Sequence, residues 1–187
     1  MRNPESGAGW EILREFVDPH KAMLAGQEVQ TMLQEKSKYL VKSDFSPPGM
    51  SGLTAYMLHA WHPKTFKDYP ETLQNDKEAL EKAVNLIGIH RRLAKVTSGY
   101  VNSGQVNIFE PNGHTRKHRD RRYGEIIAVG LIGVAHAVIK DPVFETWHDF
   151  DLEPGDAVHF INPRQQRMRP YHQFINQTED IRISLVE

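Results

Sequence analysis

The sequence of 187 residues contains no cysteine, and this absence excludes several kinds of protein at once. Without thiols the chain cannot be a disulfide scaffold, bind zinc or an iron–sulfur cluster through sulfur, or use a thiol nucleophile. Ten histidines are present instead, and their spacing becomes the most informative feature of the chain.

The chain also lacks long apolar runs and a strong charge of one sign. No window approaches the roughly 18 uninterrupted apolar residues of a membrane helix, so we expect no membrane association. The start, Met1–Trp10, has no apolar core typical of a signal peptide, so we expect a cytoplasmic, intracellular protein. A formal net charge of −1 argues against a generally basic nucleic-acid-binding protein, but it allows a local basic patch.

The periodicity of the apolar residues changes near residue 97. Before that point it is helical: one helix should begin after Asp18-Pro19, and a second should carry Leu80 to Ala94. After that point, short runs rich in Val, Ile and Phe alternate with turn signals, which is typical of an antiparallel sandwich or barrel. The predicted strands are Gln105–Phe109, Ile126–Ile132, Val134–Lys140, Phe144–Phe150, Asp156–Ile161, Tyr171–Ile175 and Ile181–Val186.

Helices first and strands later predict an α+β protein in which the helices brace the sheet. The length and the lack of a visible linker predict one domain over 1–187. The segment Tyr56–Tyr69 is rich in aromatic residues and histidine, and its pattern predicts neither helix nor strand. The turn signal Glu110-Pro-Asn-Gly113 should end the first strand of the sheet.

The segment His118-Arg119-Asp120 places an imidazole and a carboxylate two residues apart, on one face of an extended chain. A third metal ligand must come from elsewhere, and His172, in the late apolar stretch Tyr171–Ile175, is the best candidate. Two histidines and one carboxylate form the facial triad of non-haem Fe(II) oxygenases, which leaves positions open for substrate and O₂. The alternative for each histidine is an ordinary surface or hydrogen-bonded core residue.

The last predicted strand carries a cation on a face that should point inward. Arg182 and Ser184 share one face of this strand, opposite Ile181, Ile183 and Leu185. A buried arginine is costly unless an anion pairs with it. A dicarboxylate that chelates the metal at one end and meets Arg182 at the other would satisfy both groups. The alternatives are a structural salt bridge to a core acid and a solvated strand face.

These residues resemble a known family. The stretch Asn107–Asp120 resembles the iron-site segment of the AlkB-like branch of the Fe(II)/2-oxoglutarate dioxygenases, which has Asn-x-Tyr, a Pro-Gly turn and His-x-Asp at the same spacing. Glu153–Phe160 is similar to the turn and strand before the second iron histidine in the wider superfamily. His172 and Arg182 follow in that superfamily's order, and Gly9–Pro19 resembles the opening of such domains.

The resemblance implies a fold and a metal site. The fold would be a double-stranded β-helix, a jelly-roll or cupin-like sandwich braced by N-terminal helices. Residues 98–187 would form its metal-binding core, and 1–97 would supply helical support and a substrate-lid region. His118, Asp120 and His172 would bind Fe(II), and the enzyme would use 2-oxoglutarate and O₂, with ascorbate as the reductant in vitro.

The resemblance also assigns a cosubstrate site. Arg182, helped by Ser184, would anchor the distal carboxylate of 2-oxoglutarate, and Asn107 would hydrogen-bond the same molecule. Phe109 stands where the AlkB-like branch has a tyrosine that hydrogen-bonds 2-oxoglutarate, so that contact is absent here. The two-arginine C-terminal motif of that branch is absent too, and Arg182-x-Ser184 is more similar to small-molecule oxygenases of the superfamily.

The sequence leaves the substrate open between several classes. Basic side chains near the proposed ligands could hold phosphates, as AlkB-like enzymes hold a single strand with a flipped base, and the aromatic segment Tyr56–Tyr69 could stack on bases. A small metabolite, an amino acid or a protein side chain are the other substrates to consider. Two further classes remain: a cupin-like module that binds a metal or ligand without turnover, and a zinc hydrolase on the same triad. The basic residues concerned are Arg116, Lys117, Arg119, Arg121, Arg122, Arg164, Arg167 and Arg169.

Overall fold

A computed structural model of the protein describes residues 5–43, 50–60, 72–97, 104–120 and 124–186. The elements of the N-terminal half are β1 (Ser6–Gly7), β2 (Trp10–Leu13), α1 (Pro19–Gln34), β3 (Leu40–Lys42), β4 (Ser51–Leu58), α2 (Lys77–Glu81) and α3 (Val84–Val96). The elements of the C-terminal half are β5 (Gly104–His114), β6 (Gly124–Ile132), β7 (Ala135–Lys140), β8 (Trp147–Leu152), β9 (Ala157–Asn162), β10 (Tyr171–Asn176) and β11 (Arg182–Val186).

The strands form one antiparallel sheet that curls on itself. Its order is β1-β2-β9-β6-β11-β5-β10-β7-β8, with β4 paired to β5 and β3 paired to β4. The rings of Trp10 in β2 and Phe150 in β8 lie 5.5 Å apart, although their strands are near opposite ends of this order. The two ends of the sheet therefore face each other across a shared apolar interior, which is the predicted jelly-roll sandwich.

The helices cover the outer side of the curled sheet. Buried side chains of α1 and α3, among them Ala25 and Leu86, form one apolar cluster with Val129 of β6 and Leu185 of β11. Asp18 begins α1 by accepting a hydrogen bond from the Lys21 amide. This is the predicted α+β arrangement, in which N-terminal helices brace the sheet. Within the described residues, no helix is both long enough and apolar enough to span a bilayer.

The N-terminal half also contributes strands that the sequence pattern does not predict. In β2, Trp10 pairs with Phe160 of β9, and β4 runs alongside β5 from the Leu53–Phe109 pair onward. The single helix predicted over Leu80–Ala94 is divided into α2 and α3. Of the aromatic segment 56–69, Tyr56 lies in β4, while residues 61–69 lie outside the described residues.

All seven predicted strands of the C-terminal half are present, and two of their boundaries differ from the prediction by three residues or more. The turn signal at 110–113 does not end the strand: β5 continues to His114 through a bulge, in which Asn112 has a φ of 61° and these four residues lie opposite Gly52. Gly113 permits this continuation, because a Cβ there would lie 2.4 Å from the Gly52 carbonyl oxygen of β4. The other difference is at β8, which begins at Trp147 rather than at Phe144.

Candidate metal centre and anion pocket

The three predicted metal ligands converge at one place. His118 and Asp120 follow the end of β5, His172 lies in β10, and their ligand atoms are all within 4.8 Å of one another. Nε2 of His118 is 3.9 Å from one Asp120 carboxylate oxygen, and Nε2 of His172 is 3.8 Å from the other. The carboxylate therefore faces both imidazoles, and a single cation can contact all three groups.

Main-chain hydrogen bonds hold the two histidines side by side. The His118 amide donates to the His172 carbonyl at 3.0 Å, and the His172 amide donates to the His118 carbonyl at 2.8 Å. Closer to β5, the Phe174 amide donates to the Thr115 hydroxyl, and the Gln173 amide group donates to the Thr115 carbonyl. The loop that carries His118 is thus fixed along β10 by the protein alone.

Backbone carbonyls determine which imidazole nitrogen faces Asp120. Nδ1 of His118 lies 2.8 Å from the Arg116 carbonyl oxygen, and Nδ1 of His172 lies 3.4 Å from the Pro170 carbonyl oxygen. A carbonyl can only accept, so each Nδ1 carries a proton, and the lone pair of the neutral imidazole is then on Nε2, which faces Asp120.

The burial of His172 favours the same protonation state. It lowers the pKa of His172 to about 4, because the interior disfavours the charged imidazolium; Asp120 opposes this shift and His118 adds to it. At neutral pH the imidazole is therefore neutral, as metal binding requires. Two histidines and one carboxylate fit a divalent cation, and this set has the ligand composition of the facial triad of Fe(II) oxygenases.

The metal ligands line a cavity of about 270 Å³ inside the curled sheet. Most of its walls are apolar: Phe160 of β9 stacks on His172 with ring centroids 4.4 Å apart, and Ile126, Ala128 and Leu53 also line the cavity. A volume near the lower end of small-ligand pockets suits a molecule of metabolite size.

Arg182 lies in the same cavity and lacks an anion. It is 3% exposed, and among the described residues no carboxylate or other acceptor pairs with its Nε or Nη1. Its guanidinium carbon lies 4.7 Å from the Phe109 ring and 5.9 Å from the Phe174 ring. Burial lowers the pKa of Arg182 to about 10, because the interior disfavours its charge. Within the described residues, Arg182 therefore does not form the structural salt bridge that was the alternative explanation for its burial.

Two further predicted residues line the cavity beside Arg182. Ser184 of β11 is opposite Asn107 of β5, as Arg182 is opposite Phe109. The Gln105 side-chain amide donates to the side-chain oxygen Oδ1 of Asn107 at 2.7 Å, which orients the NH₂ group of Asn107 as a donor to other groups. Sequence reasoning missed Gln105, although strand alternation places it on the same face as Asn107.

One of the basic residues has a different environment from the one predicted. Arg169 was expected with the phosphate-binding residues, but it is 3% exposed and donates to three main-chain carbonyls instead. Its sequence neighbours Arg164 and Arg167 are exposed, and Arg121 and Arg122 lie outside the described residues. Nothing in the sequence distinguishes Arg169 from its neighbours, since burial of one arginine in a basic loop has no periodic signal.

A surface of cations and aromatic rings adjoins the metal centre; Lys117, Trp147 and Tyr171 are exposed and Arg119 is half-buried. The residues that flank His118 each lie over an aromatic ring: Lys117 over Trp147 at 4.6 Å, and Arg119 over Tyr171 at 4.3 Å. Trp147 is 47% exposed and Tyr171 is 36% exposed. We call these four residues the cation–aromatic surface.

The fold is similar to that of three solved structures. A prolyl-4-hydroxylase from Pseudomonas putida aligns over 96% of this chain and 90% of its own, with a TM-score of 0.60 and 14% identity. A prolyl hydroxylase from Trichoplax adhaerens, in complex with a hypoxia inducible factor peptide fragment, aligns over 96% and 82%, with a TM-score of 0.58 and 12% identity. OsALKBH1 aligns over 95% and 96%, with a TM-score of 0.56 and 14% identity. No protein-family model and no curated protein matches the sequence.

At these identities the likeness shows the fold, and the fold is the one predicted. Two prolyl hydroxylases and OsALKBH1 share this architecture, so the predicted resemblance is confirmed at the level of the fold. The double-stranded β-helix braced by helices is confirmed with it. What the chain does with this fold has to be argued from its own site.

Proposed function

We propose that the protein is an Fe(II)- and 2-oxoglutarate-dependent dioxygenase that hydroxylates a C–H bond of its substrate and releases succinate and CO₂. One observation carries this proposal: the buried Arg182, whose Nε and Nη1 have no acceptor among the described residues, lies in the same small cavity as a His-Asp-His cluster. The cluster alone suits several metals and reactions. A metal site paired with an anion site in one cavity favours a carboxylate cosubstrate that spans both.

The residues divide into a metal group and a carboxylate group. His118, Asp120 and His172 would hold Fe(II), which with 2-oxoglutarate and O₂ supplies the oxidising chemistry. Arg182 and the Ser184 hydroxyl bind the distal carboxylate of 2-oxoglutarate. That carboxylate supplies the acceptor that the buried guanidinium lacks, so its binding removes a desolvation penalty as well as forming hydrogen bonds.

The remaining cavity residues orient and shield the site. The free NH₂ of Asn107 donates to 2-oxoglutarate, and its orientation is set by the hydrogen bond from Gln105. Phe160, Ile126 and Ala128 give the cavity apolar walls, so electrostatic contacts inside it are stronger than in bulk solvent. Because each Nδ1 proton is directed to a carbonyl, the imidazoles present only Nε2 to the cavity.

For the substrate, we favour a nucleobase in a single-stranded nucleic acid. The support is the cation–aromatic surface: exposed Trp147 and Tyr171 offer faces on which bases stack, and Lys117 and Arg119 offer positive charge for phosphates. Both cations flank His118, so a strand held there would lie next to the metal. A small metabolite, an amino acid and a protein side chain are the alternative substrates, and the non-enzymatic alternative is a cupin-like binding module.

Succinate formation tests the proposal directly. The purified protein is incubated with 2-oxoglutarate, Fe(II), ascorbate and O₂, with and without single-stranded DNA carrying an N-methylated base, and His172→Ala provides the blank. Succinate that requires His172 and increases with the DNA supports both the dioxygenase and the nucleobase. Succinate that requires His172 but ignores DNA directs the search to metabolites and proteins. No succinate from a protein that binds Fe(II) and 2-oxoglutarate favours the binding module.

A binding measurement tests the surface separately. Trp147→Ala should weaken binding of single-stranded DNA by about 1–3 kcal/mol, roughly 5- to 150-fold, which is the usual effect of losing one base–aromatic stack. Met23→Ala removes an exposed apolar side chain of α1 and is the control. Equal DNA affinities in both variants, measured by fluorescence anisotropy, would reject the cation–aromatic surface as the binding site.

Two predictions about the whole chain accompany this function. We propose one dioxygenase domain over 1–187, with 98–187 as the metal-binding core and 1–97 as helical support and substrate lid. The predicted cytoplasmic location stays a prediction.

A further inference from the structure

Arg169 is a buried guanidinium bonded only to the main chain. It is 3% exposed, and among the described residues no carboxylate lies within ion-pair distance of it. Nε donates to the Pro163 carbonyl at 2.8 Å, Nη1 to the Asp120 carbonyl at 2.7 Å, and Nη2 to the Arg164 carbonyl at 3.2 Å. All three nitrogens of the fork are therefore used.

These three contacts join the two chain segments that carry the metal ligands. The Asp120 carbonyl belongs to the residue whose carboxylate faces both imidazoles. Arg169 itself precedes Pro170, whose carbonyl accepts the Nδ1 proton of His172. One side chain thus connects the backbone of Asp120 to the segment that orients His172.

The cost of this arrangement indicates a role beyond stability. Burying a cation without a carboxylate partner is expensive, and an apolar side chain of similar size often stabilises such a place as well or better. Three charge-assisted hydrogen bonds offset the cost only because the planar fork meets three carbonyls at once. What the fork adds is a fixed geometry between two segments that are distant in sequence.

We propose that Arg169 is a positioning residue of the metal centre: its fork fixes the Asp120 backbone relative to the His172 segment and so holds the carboxylate at the distance that one metal ion requires. This inference rests on the proposed metal site. The His118–His172 bridge fixes the two imidazoles to each other but leaves the position of Asp120 to other contacts. Arg169 supplies one at Asp120 itself.

The geometry distinguishes arginine from lysine here. An ammonium group on a single stem cannot reach the Pro163, Arg164 and Asp120 carbonyls in the spread that the guanidinium does. Arg169→Lys therefore keeps the charge and loses the link, while Arg169→Gln loses both. If charge alone mattered, lysine would restore the function.

The test uses Co(II) as a spectroscopic substitute for Fe(II), added alone to the metal-free protein. We expect Arg169→Lys and Arg169→Gln to bind Co(II) about 10- to 100-fold more weakly than the wild type, the usual loss when a group that orients a ligand is removed. We also expect their visible Co(II) spectra to shift toward that of Asp120→Ala, because the carboxylate is no longer held at the metal. Urea unfolding of the metal-free proteins shows that each variant is folded.

Arg14→Gln is the matched control. Arg14 also joins distant segments, through the Asp151 carbonyl and the Asp156 carboxylate, but neither partner lines the cavity. Its loss should lower the free energy of unfolding and leave the Co(II) affinity and spectrum unchanged.

The outcomes separate this inference from the proposed function. Wild-type Co(II) affinity and spectrum in both Arg169 variants would overturn the positioning role while the metal centre stands. Full recovery by lysine would overturn the geometric argument, and variants that no longer fold would make Arg169 a structural residue only. A wild-type protein that does not bind Co(II), or an Asp120→Ala variant that binds it equally well, would overturn the metal centre and this inference with it.

Discussion

Two arginines near the cavity are equally buried and have opposite surroundings. Arg169 and Arg182 are each 3% exposed. Arg169 donates to three carbonyls, whereas Nε and Nη1 of Arg182 have no acceptor among the described residues. Within the described residues, the backbone therefore satisfies one buried guanidinium and leaves two nitrogens of the other without an acceptor. This difference supports the proposed role of Arg182, in which a bound carboxylate is the acceptor.

The two arginines lie near two parts of one cavity, which differ in how far the protein itself satisfies the polar groups there. At the metal end, carbonyls already orient both imidazoles, and main-chain bonds already align His118 with His172. At the other end, Arg182 lies close to Phe109 and Phe174 at an energetic cost that the proposed carboxylate would offset. Mutations at the two ends should therefore differ in what they do to the ligand-free protein.

The largest effect is expected at the metal end. Asp120→Ala removes the only carboxylate of the triad, and metal affinity should fall by more than the roughly 100-fold that losing a ligand's hydrogen-bond partner can cost. Turnover should disappear with it. Anaerobic Fe(II) titration measures the affinity, and retained succinate formation at saturating Fe(II) would show that Asp120 is not a ligand.

The next effect is expected at Arg182. Arg182→Met should raise the KM for 2-oxoglutarate roughly 30-fold or more, because the bound carboxylate loses a charged partner worth about 2 kcal/mol of binding free energy. Fe(II) affinity should stay at the wild-type value, since Arg182 contacts none of the three ligands. An unchanged KM for 2-oxoglutarate would reject the anchoring role.

The same variant should increase the stability of the ligand-free protein. Removing an unsatisfied buried donor should raise the free energy of unfolding by about 1–3 kcal/mol. Losing the two aromatic contacts of Arg182 should lower it by about 0.5–2 kcal/mol. The net gain in the free energy of unfolding is then about 1 kcal/mol, measured by urea denaturation. A clear loss of stability would mean that Arg182 has a structural partner after all.

The smallest effect is expected from adding a hydroxyl group to the ring of Phe109, beside Arg182. Phe109 lines the cavity, and Phe109→Tyr adds a hydroxyl that can donate to the carboxylate bound by Arg182. One additional hydrogen bond of about 1 kcal/mol would lower the KM for 2-oxoglutarate roughly 5-fold. Phe174→Tyr is the comparison, since that ring is farther from the guanidinium. A higher KM in Phe109→Tyr would place the carboxylate elsewhere.

Sequence patterns predicted the sheet because its strands are short, apolar and bounded by turn residues. They also predicted the triad, since the order of a His-x-Asp segment and a later histidine does not depend on the length or conformation of the loops between them. The end of β5 was predicted wrongly, because Pro111 and Gly113 signal a turn by local chemistry. The contact between Gly113 and Gly52 is tertiary, and no local pattern contains it.

The polar residues around the triad were harder to predict, for a physical reason. Arg169 and its exposed neighbours have the same local composition, and only the packing against Asp120 and Pro163 separates them. The strand β4 was missed as well, because Ser51–Leu58 alternates poorly and is partly buried along its length. Both features depend on contacts between distant segments, which periodicity does not encode.

The pairing of β4 with β5 also limits how this protein can be divided. Leu53 and Ala55 of β4 line the cavity, and β4 covers β5 from Leu53–Phe109 to Leu58–Gly104. A fragment limited to 98–187 would keep the three metal ligands and both buried arginines but expose a long unpaired strand edge, which invites aggregation. We therefore expect that residues 98–187 cannot be fused to another protein as an independent folding unit unless β4 is included to pair with β5.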